Sequence, residues 1–241
     1  MKTRTLIAGY VLALALFLFA QRHPGVSQPT GFHAVVDLTH SVDAGALVNS
    51  ERLALSPEQF GTRIDAPARF ARGLWTVDQI PTERLLAPLV VLDVSSHIQD
   101  QPDYQISVED IAKWEQIHSQ IPLGSVVMAR TGWDSRWHSV KDYRNADGKG
   151  TMHFPGFSPD AAKFLVEGRD ALGLGIDTLS VDRGASKDFP VRQYTLAHSV
   201  YQVENVANLD RAPASGGMVV VAPTKLESGS SGPVRILALV R

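Results

Sequence analysis

Cysteine is absent from this chain of 241 residues. The absence excludes disulfides, thiolate metal sites, a cysteine nucleophile and a lipid-modified cysteine anchor. Long runs of like charge are missing, and no segment carries a basic stripe, so nucleic acid is not an expected partner. The common catalytic signatures are missing as well. There is no G-x-S-x-G elbow, no Walker loop, no H-E-x-x-H and no G-x-G-x-x-G. Gly173-Leu174-Gly175 is too short to serve as a dinucleotide loop. Eight histidines occur, but no two of them have metal-ligand spacing within a motif.

What is present is an ordinary globular composition, 44% apolar and 20% charged. The length suits one sizeable domain. The N-terminus reads as a targeting segment. Lys2 and Arg4 precede an apolar run of 15 residues from Leu6 to Ala20, the length of a signal-peptide core and short for a bilayer span. Gly25-Val26-Ser27 offers cleavage before Gln28, with cleavage after Ala20 or an uncleaved anchor as alternatives. Residues 28–241 then form the expected domain, with 20 basic against 25 acidic residues, a formal charge of −5. An exported protein, periplasmic or extracellular, is expected.

Strand patterns lie at Val35–His40, Leu89–Val94, Ser125–Arg130, Leu172–Asp177, Tyr201–Val206, Met218–Ala222 and Val234–Val240. The continuous apolar runs predict strands covered on both faces. Ser107-Val108-Glu109-Asp110 resembles a capping box and opens a helix whose Val108, Ile111, Trp114 and Ile117 keep helical spacing. Ser158-Pro159 opens a second helix, to about Glu167. Pro81 marks a helix start within Thr76–Leu86, and Trp133 to Gly150 reads as a long loop or lid. The expected fold is a single α/β domain with a mixed sheet.

Three stretches carry candidate chemistry. In Gln59-Phe60-Gly61-Thr62-Arg63-Ile64-Asp65-Ala66-Pro67-Ala68-Arg69, positions 59, 63, 65 and 69 can converge on one pocket if the segment is extended and then turns. Asp177 and Asp182 sit where a strand runs into a polar edge; they either line a site or accept from loop backbone N–H groups. Glu204 interrupts an apolar strand pattern, so it is either an edge residue or a buried carboxylate that needs a cation, a metal or a proton. His40 and His153 are the histidines nearest a strand end or an unusual loop.

Several blocks in order resemble the cyclase family of metal-dependent hydrolases, which includes bacterial kynurenine formamidase and isatin hydrolase. They are Asp37-Leu38-Thr39-His40, Gly61-Thr62 with Ile64 to Pro67, Thr76 to Pro81, Pro155 to Ser158, Gly175 to Ser180, and Glu204-Asn205 followed by Asn208-Leu209. The resemblance implies a swivelling β/β/α fold, commonly dimeric, and a site built on H-x-G-T-H-x-D-x-P-x-H. It further implies zinc or manganese held by the first two histidines, the Asp, and a later His–Glu pair, with the signature's last His assisting proton transfer in amide hydrolysis.

On this chain the Asp is Asp65 and the Glu is Glu204, while the histidine positions fall on Gln59, Arg63, Arg69 and Arg192. The implied catalytic positions are therefore Asp65 and Arg69, and the remaining metal donors are Asp65, Glu204 and Gln59. Arginine has no lone pair for a metal and stays protonated. Asp65 and Glu204 are thus expected to pair with Arg63, Arg69 and Arg192 in a network that is either structural or an anion pocket, joined there by His40 and His153. Two functions follow. One is an exported amidohydrolase, arylformamidase-like, with a degenerate metal site. The other is a metal-free pseudoenzyme or small-anion binder. A small amide or anion and a second copy of the chain are the expected partners.

Overall fold

A computed structural model describes residues 31–42, 61–98 and 101–241. The expected signal segment, Gln59 and most of the 41–58 stretch lie outside the described residues. Among the described residues ten strands and four α-helices follow one another: β1 (Ala34–Asp37), β2 (Arg63–Asp65), β3 (Leu86–Asp93), β4 (Gln105–Ile106), α1 (Val108–His118), β5 (Val126–Arg130), α2 (Val140–Arg144), β6 (Gly156–Phe157), α3 (Pro159–Arg169), β7 (Gly173–Ile176), α4 (Pro190–Ala197), β8 (Tyr201–Glu204), β9 (Gly217–Pro223) and β10 (Ser231–Val240). Residues His33–Arg241 form one compact unit.

Eight strands make a mixed sheet in the order β1-β10-β2-β8-β7-β5-β3-β9, and β10 pairs with β9 as well. That extra pairing turns the row into a ring of seven strands, with β1 added on β10. β3, β5, β7 and β8 run parallel. β2 and β9 join them antiparallel, and β10 pairs antiparallel with both β2 and β9. The long β10 serves two neighbours in turn: residues 231–233 face β2 and residues 234–239 face β9.

The ring divides the core in two. Alternate residues of each strand point to opposite faces. Leu89, Val91, Val126, Met128, Val203, Val219 and Ile236 pack together on the enclosed side. Val90, Leu92, Val127, Ala129, Leu174 and Ile176 pack on the other side with Ile111 and Trp114 of α1 and Ala161 and Leu165 of α3. Both faces of the central strands are therefore covered, as the apolar runs predict. β7 presents Gly173 and Gly175 to the enclosed side. A Cβ at Gly173 would stand 2.5 Å from the Tyr201 ring, and one at Gly175 would stand 2.7 Å from Met128. The large neighbours fill the space these glycines leave.

Capping sets the helix starts. Ser107 accepts from the Asp110 amide at 3.2 Å, and Asp110 accepts from the Ser107 amide at 2.8 Å, a reciprocal box. Ser158 accepts from the Ala161 amide with Pro159 in the first helical position. Four expectations need correction. Ile117 keeps helical spacing but is 77% exposed, because the apolar face of α1 is already filled by Ile111 and Trp114. Pro81 precedes one short 3₁₀ turn, Thr82–Arg84, rather than starting a helix. The stretch 133–150 is partly helical, with a 3₁₀ turn at Trp133–Arg136 and then α2. The fourth is α4, a helix that the sequence pattern does not announce. Its N-cap is Phe189, which has no polar side chain. Asp182 supplies the cap from a distance, accepting from the Val191 and Arg192 amides at 2.9 and 3.0 Å.

Candidate functional site

β2 lies antiparallel to β8 with Arg63 opposite Glu204 and Asp65 opposite Gln202. Ile64 and Val203 between them enter the enclosed core. Strand alternation therefore turns Arg63, Asp65, Gln202 and Glu204 to the outer side, where α4 covers them. Asp65, Gln202 and Glu204 are fully buried.

Two guanidinium groups hold Glu204. Arg63 Nη2 pairs with Oε2, and Arg192 Nη2 meets Oε1 at 2.5 Å. Arg192 Nη2 also donates to Ser180 Oγ at 2.9 Å, and the Val181 amide donates to Glu204 Oε1 at 3.2 Å. Arg63 donates a further bond to the Leu179 carbonyl at 2.5 Å. Asp65 is held less closely. Arg69, on the 3₁₀ turn Pro67–Arg69, brings Nε to 3.2 Å of Oδ2, and Arg192 Nε stands 3.7 Å away. Neither Asp65 oxygen accepts a hydrogen bond.

The two acids titrate in opposite directions. Burial pushes the Asp65 carboxyl up, the Glu204 charge adds to this, and the three arginines only partly offset it. Burial also opposes ionisation of Glu204, but Arg192 and Arg63 outweigh it and hold that carboxyl below its usual range. Glu204 is thus the committed anion of the pair, and Asp65 is the member that takes up a proton first. Arg192 is raised despite its own burial, by Glu204 and Asp65.

A cavity of about 400 Å³ opens above this network. Its charged lining is entirely cationic: Arg63, Arg69, Arg144, Arg183, Lys187 and Arg192. Met152, Phe154, Leu179 and Phe189 give it apolar walls. Arg192 lies 5.4 Å from the Phe189 ring and 5.9 Å from that of Phe70, both partly exposed. An adjacent cavity of about 370 Å³ shares Arg183 and Lys187, but Asp182 and Asp188 balance them there.

The Cyclase family model matches residues 36–183. This chain belongs to the cyclase family. It is 34% identical to the isatin hydrolase of Roseibium aggregatum over 191 residues, 76% of this chain and 72% of that protein. It is 26% identical to the kynurenine formamidase of Polaromonas naphthalenivorans, covering 83% of this chain and 79% of that one. Among solved structures, isatin hydrolase A from Labrenzia aggregata superposes with a TM-score of 0.72 at 30% identity, covering 91% of this chain and 89% of that one. The family resemblance and the mixed α/β fold read from the sequence are both borne out.

A family site would hold a divalent cation with histidine and carboxylate donors. Here the open sides of Asp65 and Glu204 face guanidinium groups, which have no lone pair to share. Among the described residues no three His, Asp or Glu side chains converge as a metal site. The described donors do not fit the family's zinc or manganese.

Arg63, Asp65, Arg69, Arg192 and Glu204 thus come together. His40 and His153 do not join them, which corrects the grouping expected above. His40 stacks on Trp137 with ring centroids 4.1 Å apart, and burial lowers its pKa to about 4 despite Asp134. It is a neutral packing residue at pH 7. His153 Nδ1 meets Asp103 at 2.6 Å and Nε2 lies 3.7 Å from Asp147, so it clasps its own loop while Met152 and Phe154 on either side line the cavity. Asp177 takes the structural option: it accepts from Thr131 Oγ1 and from the amides of Thr131, Gly132 and Trp133. Arg144, Arg183 and Lys187 were missed by sequence reasoning. They sit outside every family block, and only their joint exposure to one cavity marks them.

Proposed function

We propose that this chain is an exported, metal-free member of the cyclase family that binds a small organic anion in the cationic cavity above Asp65 and Glu204. The single observation supporting this reading is that each carboxylate at a family metal position is paired with arginine. Three guanidinium charges meet two carboxylates, so the network keeps positive charge toward the cavity. Arg69 has Nε on Asp65 and lines the cavity, where an incoming carboxylate would meet its guanidinium. A homodimer, common in the family, is the expected assembly.

A second reading is amide hydrolysis of the arylformamidase kind, and family membership favours it. Asp65, buried and raised, is the group that would move a proton in that case. The test separates the two. The purified chain is assayed on N-formylkynurenine and isatin with added zinc or manganese, beside the variant carrying Gln59→His, Arg63→His, Arg69→His and Arg192→His. Metal content is measured on both. The expected result is less than about one-tenth of a metal ion per parent chain, no turnover by the parent, and metal uptake by the variant. Turnover by the parent, or one tightly held metal per parent chain, overturns the proposal.

A further inference from the structure

The cations around the cavity lie at two depths. Arg63 and Arg192 form the floor, with side chains 10% exposed, and Arg69 stands just above them at 21%. All three are engaged with Glu204 or Asp65. Arg144 on α2, with Arg183 and Lys187 on the loop before α4, forms the rim. Among the described residues, no ion pair or side-chain hydrogen bond to Asp or Glu satisfies these three rim cations. Six lining cations against Asp65 and Glu204 beneath, and Asp182 and Asp188 beside Arg183 and Lys187, leave a formal excess of two positive charges. One monoanion at the floor would leave half of that excess standing. Such a field favours a ligand that carries more than one negative charge.

The donors also limit the chemistry. At the start of α4 the amides of Val191 and Arg192 already donate to Asp182. The backbone cradle that usually seats a phosphate at a helix start is therefore occupied. What remains are side-chain forks and ammonium groups at floor and rim, with Leu179 and the exposed ring of Phe189 also in the lining. Arginine forks match carboxylates in a bidentate way, and aromatic walls accept the flat face of a ring.

Resting on the anion-binding reading above, we infer that the ligand is an aromatic dicarboxylate, with one carboxylate at Arg69 and the other at the rim formed by Arg144, Arg183 and Lys187. The apolar body lies along Phe189. The rim residues are binding residues for the second charge and have no part in holding the first.

Isothermal titration of the full chain with terephthalate, benzoate, phenyl phosphate and inorganic phosphate tests this. Terephthalate is expected to bind about tenfold or more tightly than benzoate, the effect of one added charge-assisted contact. It should also bind more tightly than phenyl phosphate, which puts both charges at one point. The Arg183→Gln/Lys187→Gln variant should bring terephthalate within about threefold of benzoate and change benzoate itself by less than about threefold. Arg144→Gln should act in the same direction, and a thermal melt checks that each variant is folded. Equal binding of terephthalate and benzoate overturns this inference but leaves the anion-binding reading intact. Phenyl phosphate binding as tightly as terephthalate overturns the separation of the two charges. If none of the four probes binds, or if binding requires added zinc, the inference and the reading beneath it both fall.

Discussion

Two groups of buried acids stand at neighbouring strand ends and are held by opposite means. At the end of β7, Asp177 accepts four hydrogen bonds from Thr131, Gly132 and Trp133, three of them from backbone amides, and Asp182 accepts two from α4. Between β2 and β8, Glu204 and Asp65 depend on arginine side chains. Neutral donors do not compensate burial, so Asp177 is pushed up to about 7. Guanidinium charge does compensate it at Glu204, which is lowered. Backbone donors cannot be changed by substitution, whereas arginines can. The first group is therefore fixed by the fold, and the second rests on side chains that substitution can replace.

The largest effect tests the second group. Arg192→Leu leaves Glu204 buried with one guanidinium instead of two, and should cost on the order of 3–5 kcal/mol by urea unfolding. Adding Glu204→Gln should return a substantial part of that loss, since the buried charge goes with its partner. If Arg192→Leu costs no more than a surface substitution, the contrast between the two groups collapses.

A smaller effect belongs to Asp177. Asp177→Asn loses acceptor capacity facing several donors and should cost about 1–3 kcal/mol. The pH dependence gives the sharper measure. The folded value of about 7 lies above the ordinary 3.8, so the native state holds an extra proton between them. Stability from this group therefore falls as pH rises from about 4 to 7, and Asp177→Asn should flatten that slope. Glu204 has the opposite sign. Its folded value lies below the ordinary 4.5, so its contribution is present above that pH and is lost as pH falls further. Unfolding midpoints measured from pH 3 to 8 should thus rise on mild acidification and collapse below about 4.

The smallest effect concerns the link between the groups. Asp182→Ala removes the cap of α4 and should cost about 1–2 kcal/mol. Amide exchange at Val191 and Arg192 should accelerate ahead of the rest of the helix. If those amides keep their protection, α4 and Arg192 are positioned by packing alone.

Much of the fold was legible because strands buried on both faces leave continuous apolar runs, and α1 and α3 carry local caps. Helix α4 was not legible, because its cap is Asp182, nine residues before the first amide it receives. The ring closure was not legible either, since it depends on β10 pairing with β2 and β9 at once. At the site, Arg63, Asp65, Arg69, Arg192 and Glu204 stood out against the family signature. His40 and His153 were over-read from their neighbours in sequence; one is packed on Trp137 and the other tied to Asp103 and Asp147. The rim cations belong to no motif, and only tertiary structure gathers them.

The pairing of β10 has a bearing on how the molecule reaches this state. Val240 stands opposite Ala34, and Pro233 opposite Arg63. These contacts join segments separated by most of the sequence, and such closures are slow to form and hard to nucleate. The strand that carries Arg63 and Asp65 is only three residues long and has β8 and β10 as its neighbours. Until β10 arrives, that short strand lacks one of its two neighbours. The charges on its outer face therefore rest on two separate events, the pairing of β10 that fixes β2 and the docking of α4 that covers them.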